Sequence, residues 1–195
     1  LSGVPVAAET FALHTMIELV SITRCRVHFC RLSCAAGVAL VRAAKAEGLP
    51  VTADVSINSL FLTDVDIGFF NPDMRLNPPL RGAADRDALS AGLADGPIDA
   101  LVSDHNPVAD DMKTLPFGEA EPGATGLELL LSLALRWGQD RGLSPAQAWS
   151  TVTHRPVAVL GDAVGSLAHS AGRLVEGGVA DLCLADVEVQ WAVTP

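Results

Sequence analysis

Apolar residues first recur at helical spacing: Phe11, Met16, Ile17, Leu19 and Val20 lie between Ala7 and Ile22 and predict an amphipathic helix. Arg26 to Cys30 then predicts a strand, and Ser33 stands where an N-cap would open a helix from about Ala35 to Glu47. Gly48 ends that helix, Pro50 bars its return, and Val51 to Ser56 is the next strand. Asn58 to Pro79 is irregular and rich in Asn, Asp and Pro, as expected of a functional loop. Helical spacing resumes from Ala84 to Ala94, with Asp85 near its start and Gly96 past its end. After a loop from Ala109 to Gly126, helices are predicted over about Leu127–Gln139, from Ser144-Pro145 onward, and over Pro156–Leu160. The tail changes character: Gly172–Leu174, Ala180–Ala185 and Val189–Val193 read as short strands split by glycines, a small β appendage. The alternation of strand and helix before that tail argues for parallel β/α units rather than an antiparallel domain.

One strand stands out. Ile98 to Val102 is a short apolar run with the composition of a buried strand, and it opens abruptly into Ser103, Asp104, His105 and Asn106 before Pro107 forbids further pairing. Parallel barrels present catalytic groups in this way, at the C-terminal ends of their strands. Taken alone, such an Asp-His pair is more often a turn cap beside a surface histidine; the residues around it shift that balance.

Composition narrows the class. The 195 residues are 49% hydrophobic and 18% charged, which fits a folded chain rather than a disordered one. A formal net charge of −10 argues against a nucleic-acid partner, because a phosphate-tracking surface needs the opposite sign. No apolar run reads as long enough to span a bilayer, and no charged-then-apolar segment opens the chain, so no membrane is expected and the location is expected to be cytoplasmic. Cys25, Cys30, Cys34 and Cys183 lack Cys-x-x-Cys spacing and read as reduced, buried thiols rather than zinc ligands or disulfides. Since the chain starts at Leu1, it reads as a piece of a longer protein.

Several separated motifs, in order, carry a family resemblance. Val27-His28-Phe29-Cys30-Arg31-Leu32-Ser33 resembles a sixth barrel strand usually ending His-Val-Ser. Val51 to Leu60 (Val-Thr-Ala-Asp-Val-Ser-Ile-Asn-Ser-Leu) resembles a segment usually reading Thr-Ala-Glu-Val-Thr-Pro-His-His-Leu. Asn77-Pro78-Pro79-Leu80-Arg81 is intact, and Ser103 to Val108 resembles Thr-Asp-His-Ala-Pro-His. Lys113, Pro116, Phe117, Gly123, Gly126, Leu127 and Glu128 match the following loop and helix, and Gly172, Arg173, Leu174, Gly177, Ala180, Asp181, Leu182 and Asp186 match the ending. On these residues the chain resembles the C-terminal half of a dihydroorotase, of the amidohydrolase superfamily, and is most similar to the non-catalytic dihydroorotase-like subunits that associate with aspartate carbamoyltransferase.

The resemblance implies an α/β fold: the C-terminal part of a (β/α)8 TIM-type barrel over residues 1–165, then a small β-domain segment over 166–195. It implies metals at the C-terminal mouth, where zinc polarises a cyclic amide and generates hydroxide while an aspartate of the eighth strand handles protons. Asp104 matches that aspartate, and Asn77 matches a position that contacts the pyrimidine ring. The departures are sharper. Arg31 stands where the sixth strand supplies a metal-binding histidine, and a guanidinium has no lone pair to give a metal. Asn58 and Ser59 replace the paired histidines, and Val108 replaces the last histidine of the Asp-His motif. His28, at odd spacing from Arg31, is expected on the other strand face as a packed or hydrogen-bonded histidine, while His14, His154 and His169 have no partner at ligand spacing.

Only the last three barrel strands and the tail are matched, so the upstream half of the same barrel is an expected partner. Two functional readings follow. One is a catalytically inactive dihydroorotase-like protein of pyrimidine biosynthesis, without a cofactor, that serves as a scaffold for aspartate carbamoyltransferase. The other is an active zinc-dependent cyclic amidohydrolase with an altered metal site, interconverting N-carbamoyl-aspartate and dihydroorotate. A third, a binding protein that keeps its pocket through Asn77 and Asp104, stays open beside them.

Overall fold

The computed structural model describes residues 3–189 and residue 192. Its centre is a three-stranded parallel sheet in the order β1 (Val27–Phe29), β2 (Val51–Ser56), β3 (Ala100–Val102). Val27 lies opposite Val51 in the first ladder and Asp54 opposite Ala100 in the second. Each parallel return is made through helices, as such connections require. α1 (Val6–Thr23) precedes β1, and α2 (Ala35–Ala46) joins β1 to β2. α3 (Ile57–Phe61) and α4 (Ala83–Asp95) join β2 to β3. After β3 come the short α5 (Asp110–Lys113), then α6 (Leu130–Asp140), α7 (Pro145–Ser150) and α8 (His154–Leu160).

The two faces of β2 have different chemistry because successive side chains point to opposite sides. Val51, Ala53 and Val55 join Val41 of α2, Leu89 and Leu93 of α4, and Trp137 of α6 in one buried core. Each aliphatic side chain of this size contributes roughly 1.5–3 kcal/mol when fully buried. Thr52, Asp54 and Ser56 occupy the alternate positions, and they carry the polar contacts that matter below. Asp99 locks β3 against β2: its carboxylate accepts from the Ala53 amide at 2.8 Å and from Lys45 Nζ at 2.6 Å. The Arg155 guanidinium caps the carbonyls of Leu93 and Ile98 from α8.

Element boundaries follow the apolar pattern, with instructive exceptions. The cap of α2 is Cys34, whose Sγ accepts from the Gly37 amide at 3.3 Å, not Ser33. Ser33 is fully buried and is drawn off by Glu9 of α1 and by Arg81 Nε at 3.2 Å. Gly48, in the left-handed region at φ 71°, ends α2 as expected. The stretch from Asn58 to Pro79 is less irregular than its composition suggests, since it holds most of α3 and the 3-10 turns Asp64–Ile67 and Pro72–Met74. Residues 172–189 contain no strand, which corrects the expected β tail there; the predicted strand Val189–Val193 lies mostly outside the described residues. Leu174, Leu182 and Leu184 are exposed instead, with no neighbouring strand among the described residues to supply the ladder that an isolated segment lacks.

α1 also corrects an expectation. Its 18 residues are long and apolar enough, by length and composition alone, to cross a membrane. Leu13 and Val20 are nevertheless buried in the common core, and the Glu9 carboxylate accepts from the Ser33 amide. These contacts make α1 part of the helical layer over the sheet. Phe11, Leu19 and Ile22 on its other side are exposed.

Candidate functional site

Parallel strands carry their C-terminal ends to one edge of the sheet, and the singled-out residues lie just past those ends. Arg31 follows β1, Asn58 and Ser59 sit in α3 directly after β2, and Asp104 follows β3. Both Arg31 (φ 58°) and Asp104 (φ 49°) adopt left-handed backbone, which is uncommon for residues with a Cβ. This turn breaks the strict alternation of β1 and swings the Arg31 side chain across the C-terminal edge of the sheet, called the mouth below. Its Nη1 donates to Asp104 Oδ1 at 3.1 Å and to the carbonyl oxygen of Asn77 at 2.9 Å. One guanidinium therefore gathers three of the positions named from sequence.

The others are arranged differently. Asn58 Nδ2 is buried and has no hydrogen-bond partner among the described residues. Ser59 and Val108 are half-buried, and the Val108 isopropyl group has nothing to offer a polar ligand. His105 turns away from the mouth: its Nδ1 accepts from the amides of Gly126 and Leu127 at 3.2 and 3.3 Å, pinning the next loop. Those two bonds require Nδ1 to be unprotonated, so the side chain is used as an anchor.

Beneath the mouth lies a second polar group, built around His28 and Asp54. His28 is hydrogen-bonded, as expected: Nδ1 lies 2.8 Å from Thr52 Oγ1 and Nε2 lies 2.9 Å from Asp54 Oδ2. Asp54 is buried, and its Oδ1 accepts from the Arg31 backbone amide at 2.6 Å. Cys30 stands beside them. Of the four cysteines only Cys34 is buried, so the expectation of buried thiols is corrected for Cys25, Cys30 and Cys183, which are exposed. Although the Cys30 residue is exposed, atoms packed around its sulfur push the thiol pKa up, and the Asp54 carboxylate adds to this while Arg31 opposes it. Burial pushes Cys34 further, to about 11. One sequence signal marks the group, the spacing of two that puts His28 and Cys30 on one strand face; the register supplies the other, since Asp54 lies one residue beyond the last β1–β2 pair.

The donor set decides what the mouth can hold. A zinc ion there needs lone pairs from nitrogen, sulfur or oxygen ligands. Arg31 offers only N–H donors and already occupies an Asp104 oxygen, and the orphaned Asn58 atom is likewise a donor. These residues do not fit a cation at the mouth.

The three-stranded parallel sheet alternating with helices is shared with solved hydantoinases. Among solved structures, the L-hydantoinase (dihydropyrimidinase) of Arthrobacter aurescens superposes with a TM-score of 0.80 at 28% identity, over 90% of this chain and 39% of that one. A dihydroorotase of Saccharomyces cerevisiae shares the fold with a TM-score of 0.70 at 16% identity, over 82% of this chain and 46% of that one. In sequence, a dihydroorotase-like protein of Pseudomonas aeruginosa is 41% identical over 186 residues, 95% of this chain and 42% of the relative. A dihydroorotase of Anaeromyxobacter sp. (strain K) is 36% identical over 197 residues, all of this chain and 44% of the relative. Over nearly its whole length the chain is similar to proteins named dihydroorotase-like protein and dihydroorotase. That region is less than half the length of the curated relatives it matches. No family model matches the chain.

Proposed function

We propose that this chain is the C-terminal part of a dihydroorotase-like barrel whose mouth has exchanged its catalytic metal for an internal ion pair. In this reading the intact protein is a scaffold subunit for aspartate carbamoyltransferase in pyrimidine biosynthesis. The observation that carries the proposal is the 3.1 Å contact between Arg31 and Asp104. A half-buried carboxylate that has lost a neighbouring dication needs a counter-charge, and a planar guanidinium supplies charge and donors together. The same contact removes Asp104 from proton transfer, since an acid–base group must be free to reach the substrate. A valine at position 108 and an exposed Asn77 whose carbonyl is engaged leave little to hold an anionic ring.

The alternative, an active cyclic amidohydrolase with an altered metal site, draws on the retained Asp104 and on relatives named dihydroorotase. The two readings separate in one experiment. Purified full-length protein, supplied with zinc, is expected to show no interconversion of N-carbamoyl-aspartate and dihydroorotate, while Arg31→His with Val108→His is expected to gain zinc at the mouth. Zinc-dependent turnover by the unchanged protein would refute the scaffold reading. The partner is tested separately: aspartate carbamoyltransferase is expected to co-purify with this protein and to lose its assembled size when the protein is deleted.

A further inference from the structure

His28, Cys30 and Asp54 place an imidazole nitrogen, a thiol sulfur and a carboxylate oxygen within 4.8 Å of one another. We infer that these three side chains form a divalent-cation site of the zinc or cobalt class, on the strand side of the Arg31–Asp104 pair and distinct from it.

The donor set is the first argument. One nitrogen, one sulfur and one oxygen suit a borderline ion such as Zn²⁺ or Co²⁺, whereas Mg²⁺ and Ca²⁺ prefer oxygen alone. Charge is the second: a thiolate and a carboxylate together balance a dication, with the thiol proton released to solvent as the sulfur–metal bond forms. Geometry is the third. Ligand bonds of about 2.0–2.3 Å in a tetrahedron place ligand atoms roughly 3.3–3.8 Å apart. The 2.9 Å contact between His28 Nε2 and Asp54 Oδ2 therefore has to open by about half an ångström. The widest separation has to close by about 1 Å, a side-chain adjustment rather than a backbone one.

The surroundings already orient two ligands. Thr52 Oγ1 sits on the far nitrogen of His28, and the Arg31 amide holds the far oxygen of Asp54. Outer partners of this kind fix the ring and carboxylate of a metal site. They leave Nε2 and Oδ2 facing a common point, with Cys30 exposed as the third donor. The competing account is a plain His28–Asp54 hydrogen bond with the Thr52 hydroxyl donating to Nδ1. It satisfies every atom and makes Cys30 a bystander, so the sulfur is the discriminating ligand.

The full-length protein, reduced and stripped with chelator, is titrated with Co²⁺ and followed by absorption. One ion per chain is expected, with a sulfur-to-cobalt charge-transfer band that Cys30→Ser removes and Cys25→Ser and Cys183→Ser leave intact. Thr52→Val is expected to weaken the affinity about 10–100-fold. Zinc is also expected to shield Cys30 of the unchanged protein from alkylation, read by mass spectrometry, which needs no variant to fold. Failure of folded protein to bind cobalt, a charge-transfer band that survives Cys30→Ser, or unshielded Cys30 at saturating zinc would overturn the assignment. None of these outcomes depends on whether the mouth is catalytic.

Discussion

Removing the Arg31 side chain tests whether the ion pair has replaced a metal. The bare Coulomb attraction at 3.1 Å and an effective dielectric of about 20 is roughly 5 kcal/mol, most of it offset by desolvation. Breaking a fully buried pair typically costs about 3–5 kcal/mol, because the surviving charge is left alone. Here the Asp104 side chain is 15% exposed but the Arg31 side chain is 42% exposed, so water screens the guanidinium and the figure must be reduced. A net coupling of about 1–2 kcal/mol is the working value. Arg31→Ala also loses the bond to the Asn77 carbonyl, so its total cost is expected to be about 2–3 kcal/mol. The assay is urea unfolding of the full-length protein for wild type, Arg31→Ala, Asp104→Asn and the double variant, with slopes compared to exclude changes in compactness. The double variant is expected to be more stable than Arg31→Ala alone. Additivity of the two single effects to within about 0.3–0.5 kcal/mol would refute the charge-replacement argument.

Further outcomes are expected at the mouth and elsewhere in the molecule. Arg31→Gly is expected to unfold at higher urea than Arg31→Ala by about 1 kcal/mol, since both lose the guanidinium but only glycine relieves the left-handed backbone at φ 58°. Gly138→Ala is expected to destabilise by about 1–3 kcal/mol in the same assay, because a Cβ there would stand 2.6 Å from that of Ala148 and force α6 away from α7. Cys34 is expected to resist alkylation at neutral pH while the three exposed cysteines react. Its folded thiol, at about 11, lies above the usual 9.0, so the unfolded chain releases that proton first. Its contribution to stability is full below pH 9 and is lost as pH rises towards 11, a loss that Cys34→Ser should abolish.

Where a local rule and the tertiary packing agreed, the sequence was readable. The period of apolar residues located α1, α2, α4 and α6, and the β2 run was found to the residue, because burial on the helical face demands that pattern. Ser33 misled because its hydroxyl has a stronger use: Glu9 and Arg81, far away in sequence, claim it, and a cysteine takes over the cap. No local reading anticipates a partner contributed by another helix. The tail failed for the opposite reason. Alternating apolar residues between Ala180 and Val189 satisfy the pattern of a strand, but a strand exists only with a neighbour to pair with. At the site, the Arg31–Asp104 contact was legible from the order of parallel strands, since both positions end strands on one edge. The His28–Cys30–Asp54 grouping needed the β1–β2 register as well, which sequence spacing alone does not supply.

The backbone at the mouth tells more than its side chains. Left-handed conformation at a residue with a Cβ costs about 1–2 kcal/mol, and here it occurs at both Arg31 and Asp104. The turn at Arg31 carries its guanidinium across the strand ends to Asp104, so the pair rests on a backbone that costs stability to hold. On the proposed reading, a short imidazole and a short carboxylate aimed at one small ion would use the same turns. The turns are therefore compatible both with the present pair and with the metal-binding ancestry proposed above. On the proposed reading, the aimed backbone of a metal site has been kept, while its donors have been exchanged for a bond between the chain's own charges.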